Sequence, residues 1–300
     1  MSLLLWALLV CYAAGRALQP FAGTVPMLVI VLLHVLPPAL FALLHGAIRY
    51  GLRGILVFMA ICLVVGNASE NLSILTGIPF GHYYFTGLMG PSIFHVPILL
   101  GFAYVGMGYL SWTLGRLILG EARGPLAGSR VVTVPLAGAF LMVAWDLSMD
   151  PVWSTVMHSW IWLQGGAYFG VPVSNFLGWY LTVYVIYQLF ALYLRRRAIH
   201  GYSKGHSLPS GYWRMAVLFY GISAAGNLAL IPRAGISPVS DPTGAQWRVT
   251  SIVGASALVS IFVMGAFTLL AWLRLSGAGS QPARDSQSRS SARAIHPSVR

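Results

Sequence analysis

The chain has 300 residues, 57% of them hydrophobic and 8% charged. A soluble domain carries about 25% Asp, Glu, Lys and Arg, so a water-facing globular surface is excluded. The formal net charge of +12 does not point to a nucleic-acid partner, because the basic residues fall in short clusters between long apolar stretches, as membrane loops do.

Apolar stretches of about 20 residues suffice for a helix to cross a bilayer core. They predict helices, in chain order, over 2–18, 25–48, 52–69, 93–119, 131–149, 173–194, 211–231 and 249–273. The first begins without a basic flank, which favours a retained helix over a cleaved signal peptide. Cys11 and Cys62 lie inside apolar runs and read as membrane-embedded side chains rather than a disulfide or metal pair. Pro37-Pro38 interrupts the second stretch and is expected to kink it. The third closes at Glu70, and the connection 67–91 that follows mixes Gly, Pro and aromatic residues with no Lys or Arg. A second connection of this kind, 150–172, follows the fifth stretch and carries Trp153, Trp160, Trp162 and Tyr168. Irregular backbone lies at membrane depth only where protein covers it or it lines a cavity. The competing reading is an interfacial belt of Trp and Tyr.

The expected fold class is therefore all-α, a polytopic transmembrane bundle of about eight helices, or seven if the first is absent. It forms one domain over 1–275, followed by a disordered basic tail over 276–300. With both termini in the cytoplasm, fifteen Lys and Arg fall on inner loops and the tail, against Arg16, Arg233 and Arg248 outside. The inner group includes Arg49, Arg53, Arg116, Arg123, Arg195, Lys204 and Arg214. That asymmetry predicts a multi-pass inner-membrane protein with cytoplasmic ends.

The acids are sparse. Glu70 is the only charged residue between Arg53 and Arg116, and Asp146 and Asp150 are the only ones between Arg130 and Arg195. An acid in an apolar span costs about 2.5–3.5 kcal/mol on insertion scales, so a functional role is its default reading. Asp146 and Asp150 are four residues apart and share a helical face. Mutual repulsion and burial both disfavour ionisation, so at least one of the three acids is expected to keep its proton and act as a donor. The structural alternatives are a helix end at Asp150-Pro151, an interhelical hydrogen bond at Asp146 and a solvated interfacial Glu70. His34, His45, His82, His95 and His158 are scattered without the spacing of a metal-ligand cluster, which argues against oxygen-dependent hydroxylation at a di-iron site. No phosphate-binding loop or serine-nucleophile elbow is present. Neither a metal nor a cofactor is expected.

The spacing Glu70-x5-Thr76-Gly-Ile-Pro-Phe-Gly81-x-Tyr83, followed by Val96-Pro97, resembles one signature of the bacterial and archaeal carotenoid-biosynthesis membrane proteins. A second signature is carried by Trp145-Asp146-Leu-x-Met-Asp150-Pro151, Trp160-x-Trp162 and Gly165-Gly-x-Tyr168-Phe-Gly170-Val-Pro172-x-x-Asn175-Phe-x-Gly178-Trp179. The sequence departs from the pattern after Val96-Pro97, where Ile-Leu-Leu-Gly-Phe takes the place of more polar or aromatic residues. The family includes γ-carotene 1'-hydratase and bisanhydrobacterioruberin hydratase. The resemblance implies a hydro-lyase that adds water, without metal or oxygen, across the terminal isopropylidene double bond of an acyclic carotenoid. It casts Glu70, Asp146 and Asp150 as acid and base. Tyr83, Tyr84, Trp153, Trp160, Trp162 and Tyr168 become aromatic walls for a carbocation, and Asn175 holds the water. The carotenoid or other isoprenoid substrate enters from the lipid phase. Two other readings stay open: a proton- or cation-coupled transporter using the same acids, and a cofactor-free isoprenoid isomerase or cyclase.

Overall fold

The computed structural model describes residues 2–120, 126–199 and 208–277. Arg123, Lys204 and the tail from 278 onward, with the charges assigned to it, lie outside the described residues. Among the described residues, seven helices are long and apolar enough to cross a membrane. They are α1 (Ser2–Leu18), α2 (Met27–Thr76), α3 (Ile98–Ile118), α4 (Arg130–Pro151), α5 (Val173–Ile199), α6 (Ser210–Leu228) and a last span. The last span joins α7 (Val249–Val259) to α8 (Gly265–Gly277) through a π turn, Ser260–Met264. Val10, Val64, Leu181, Phe262 and Leu273 are among the large apolar side chains exposed on the outer faces of the helices, a surface suited to lipid and not to water.

At 50 residues α2 would be about 75 Å long if straight, more than twice the hydrocarbon thickness of a bilayer. It is not straight. Gly51 has φ 71° and ψ 164°, a conformation that only glycine adopts readily, and the chain folds back there. Across the turn, a Cβ on Gly46 would lie 2.4 Å from Ile55 Cδ1. Both halves pack on α3. Gly106 lies against the Pro38–Ala39 backbone, His45 bonds Tyr109 and Tyr50 bonds Trp112, so α3 runs parallel to 27–50. Gly101 meets Leu63, Tyr104 meets Gly66 and Phe58 meets Tyr109, so α3 runs antiparallel to 52–76. The two spans expected within 25–69 are thus a helical hairpin. Helical backbone continues through Pro37 and Pro38, and Gly106 packs closely against it. Held from two sides, α3 is buried at every residue from 103 to 117.

Arg49, Arg116, Arg197 and Arg214 gather at the end of the bundle where α2 turns. Arg197 donates to the Tyr50 carbonyl at 2.8 Å, Arg116 to the Tyr50 hydroxyl at 3.4 Å, and Arg49 and Arg214 lie over the rings of Trp213 and Trp272. The three acids lie toward the opposite end. There α2 continues to Thr76, past its expected end, and is closed by Gly77 in the left-handed conformation, whose N–H reaches the Ser73 carbonyl. The next helix starts late, at Ile98, because a small hairpin precedes it: β2 (Ser92–Ile93) with β3 (Val96–Pro97).

The two Gly/Pro/aromatic connections are not independent loops. β1 (Tyr83–Phe85), from the first, pairs antiparallel with β4 (Trp160–Trp162), from the second. A π turn, Val152–Val156, carries α4 into that second connection. A further hairpin, β5 (Pro238–Ser240) with β6 (Gln246–Arg248), packs on it, with Trp247 edge-on to Phe169 at 5.6 Å. Arg16, counted among the outer charges, is buried in the last turn of α1.

Candidate active site

Asp146 and Asp150 leave α4 one turn apart on the same face. Each is 1% exposed, and Glu70 near the end of α2 is 3% exposed. All three line one small cavity of about 20 Å³, enough for about one water molecule. Asn175 in the first turn of α5 lines it too, as do Tyr83, Trp160 and Trp162.

The β1–β4 ribbon explains which aromatic residues arrive. Tyr83 stands opposite Trp162, Tyr84 opposite Ile161 and Phe85 opposite Trp160. Side chains alternate between the faces of a strand, so Tyr83, Phe85, Trp160 and Trp162 share the cavity side. Tyr84 takes the other face, is 48% exposed and does not line the cavity. Trp153 is buried, but its ring lies edge-on to His34 at 5.3 Å and also stays outside the cavity. Tyr168 packs behind the site: its hydroxyl donates to the Leu147 carbonyl at 3.1 Å and its ring meets Phe176. Burial, and then the carboxyl groups of Asp146 and Asp150, push that hydroxyl above the ordinary phenol range.

The carboxyl groups differ in their hydrogen-bond donors. Asp150 Oδ1 accepts from Trp160 Nε1 at 3.0 Å and Trp162 Nε1 at 3.3 Å, and its Oδ2 accepts from Asn175 Nδ2 at 2.7 Å. Asp146 accepts one bond, from the same Asn175 Nδ2 at 3.0 Å. Glu70 accepts from two phenols, Tyr104 at 2.6 Å and Tyr83. Among the described residues, no basic side chain bonds any of the three. Asn175 commits its amide nitrogen to the two aspartates, and its Oδ1 is buried without a partner.

Tyr104, Phe85, Leu100, Met149 and Trp179 complete the surroundings and were not singled out as site residues from the sequence. Trp179 stacks on Tyr104 with centroids 4.6 Å apart and planes within 4°. Its only sequence signal was its place at the end of the second signature. Behind the acids, later helices hold α4: Asn227 Nδ2 donates to Ser148 Oγ at 3.1 Å and to Ser260 Oγ at 2.8 Å, and Ser256 donates to the Ser148 carbonyl.

Glu70 and Leu100 also border a second, larger cavity of about 760 Å³ between the end of α2 and the start of α3. Leu63, Val64, Leu75, Ile93, Phe94 and Phe102 make it mostly apolar. Four of these, Val64, Leu75, Ile93 and Phe94, are more than half exposed, so the groove opens on the lipid-facing side. Among the described residues, no group of three or more His, Cys, Asp and Glu is arranged to hold a metal ion. His45 is fully engaged structurally, between the Tyr109 hydroxyl at 2.6 Å and the Tyr212 carbonyl at 2.8 Å.

A family model described as carotenoid biosynthesis protein matches residues 23–237. No curated protein and no solved structure matches the chain.

Proposed function

The matched stretch exceeds half of its length, so the chain belongs to the carotenoid biosynthesis protein family, and from that premise we propose that it is a membrane hydratase acting on the isopropylidene end of an acyclic carotenoid. The observation that carries this reading is a water-sized void where three buried carboxyl groups, an unpartnered amide oxygen and an aromatic wall meet, next to an apolar groove.

Hydrogen bonds to a carboxylate favour its ionised form. Asp150, with three N–H donors, and Glu70, with two phenols, are the better-supplied anions, and Asp146, with one donor, holds the proton. In the proposed step the polyene lies in the groove with its end past Leu100. Asp146 protonates the CH carbon of the terminal double bond. The π electrons form the new C–H bond and leave a tertiary cation on the dimethyl carbon. Faces of Tyr83, Phe85, Trp160, Trp162 and Trp179 stabilise that cation. The water accepted by Asn175 Oδ1 forms the C–O bond and releases its proton to Asp150. Transfer of that proton back to Asp146 resets the pair, and one water has become a tertiary alcohol. Under the same reading, the basic end of the bundle faces the cytoplasm and the site lies toward the outer leaflet.

Expression in cells that accumulate lycopene tests the proposal. The extracted pigment should gain the mass of one water, with its oxygen taken from heavy-oxygen water and not from dioxygen. An isomer or cyclised product of unchanged mass would replace hydration with the isomerase or cyclase reading. Ion flux in proteoliposomes without any pigment product would replace it with transport.

A further inference from the structure

Four spans end around one cavity on the acid-bearing side of the bundle. α1 stops at Leu18, α2 starts at Met27, α6 runs out into the turn Ile231–Arg233, and α7 starts at Val249. Between those ends lies a cavity of about 420 Å³. The ends of spans mark the edge of the hydrocarbon layer, so this cavity lies at headgroup depth. Its wall includes Met27, Leu88, Val152 and Val253, and among the described residues only two polar side chains line it, Gln19 and Arg233.

Both polar residues are poised for an anion. The Arg233 guanidinium sits 3.8 Å from the Phe21 ring centroid, which fixes a positive charge at the rim. Gln19 is 1% exposed; its Oε1 takes a bond from Arg16 at 2.8 Å, while its Nε2 is buried with no partner. Directly behind it Arg16 is buried as well, at 4% exposure, and among the described residues it bonds only neutral groups: Gln19, the Ser223 carbonyl and Asn227 Oδ1. A cation withdrawn from water with no carboxylate among its partners is costly until an anion joins it.

From this arrangement we infer that the cavity binds the phosphate of an anionic membrane phospholipid. Gln19 Nε2 donates to a phosphate oxygen, Arg233 pairs with it from the rim, Arg16 adds its field from behind, and the acyl chains cover the apolar wall. Free inorganic phosphate offers the same charge but nothing for that wall. The site does not depend on the hydration chemistry, although Val152 and Val156 place it against the π turn that follows Asp150.

The test uses the full-length protein, delipidated in detergent and titrated in native mass spectrometry. The probes are dimyristoyl phosphatidylglycerol, dimyristoyl phosphatidylcholine and inorganic phosphate. Wild type should retain one phosphatidylglycerol in preference to phosphatidylcholine. Arg233→Gln, at an exposed position, should weaken it about fivefold to tenfold, and Arg233→Lys should keep most of the affinity. Gly23→Trp is the second variant: Gly23 lines the cavity and a Cβ there meets nothing within 4 Å, so the indole has room to occupy the rim, and it should also weaken the lipid. Equal affinity in wild type, Arg233→Gln and Gly23→Trp would overturn the inference. So would phosphatidylcholine binding as tightly as phosphatidylglycerol, or inorganic phosphate displacing the lipid at equal concentration.

Discussion

Asn175 links the two aspartates, so a change there disturbs both at once. Asn175→Leu keeps the size but removes both the bridging N–H groups and the free Oδ1; water-addition rates are expected to fall about 100-fold or more. Asp146→Asn should be at least as damaging, about 10²–10⁴-fold, because the amide has no proton to give an alkene. Both are checked by initial rates of heavy-oxygen incorporation in membranes with equal protein content. Retained activity in Asp146→Asn would remove that residue as the donor. The acids were legible in the sequence because a carboxyl group in an apolar span is expensive and stands out. Tyr104 and Trp179 were not, because a buried aromatic residue on a membrane helix fits the span whether or not it faces a site. Trp153 and Tyr84 show the converse: their type and neighbourhood suited a cation wall, but strand alternation and the course of the π turn send them elsewhere.

Among the elements, the spans could be read from hydropathy to within a few residues at most ends, whereas the β1–β4 pairing could not. Strands of three residues are too short to show a period, and nothing local in either connection names its partner. The helical hairpin was half visible: two spans were expected, but not that a single glycine joins them. Gly51→Val should cost about 1–3 kcal/mol, since its φ is closed to a β-branched residue, and thermal unfolding in detergent measures it. The β5–β6 hairpin, given no role in the sequence reading, carries a pH dependence outside the spans. Partial burial raises the Asp241 carboxyl, but bonds from the Thr243 and Trp247 side chains and the Thr243 and Ala245 amides outweigh it and hold the group below the usual carboxylate range. A carboxyl held low stabilises the fold above its unfolded value of about 4 and loses that contribution as pH falls through the folded value. The hairpin is therefore expected to loosen in acid and not in base. Protection of the Thr243 and Ala245 amides from hydrogen exchange, taken relative to their intrinsic rates, should fall below about pH 4, and Asp241→Asn should abolish that dependence.

For the molecule as a whole, the charge asymmetry makes a prediction about sidedness. In a variant lacking Cys11 and Cys62, a membrane-impermeant thiol reagent should reach Ser92→Cys in intact cells and Ser129→Cys only after permeabilisation. Both serines are exposed, and they lie at opposite ends of the bundle. Labelling in the reverse pattern would invert the orientation and place the carboxyl groups beneath the cytoplasmic leaflet. Composition and hydropathy made the all-α bundle the most legible feature at this scale. Every part of the bundle obeys the same demand for apolar surface, so the signal accumulates along the chain and survives local errors such as the expected end of the third stretch, which the helix overruns to Thr76.

The bonds from Ser256 and Asn227 to Ser148 have a consequence for the order of synthesis. Every side chain lining the small void has left the ribosome by Trp179, with α6, α7 and α8 still to come. Those late helices place no group in the void, yet they grip the turn of α4 between the two aspartates. A nascent chain halted after α5 would carry the full set of reactive groups and lack the brace that holds them in register. Under the proposed function, maturation would then be timed by the arrival of helices that line no part of the void.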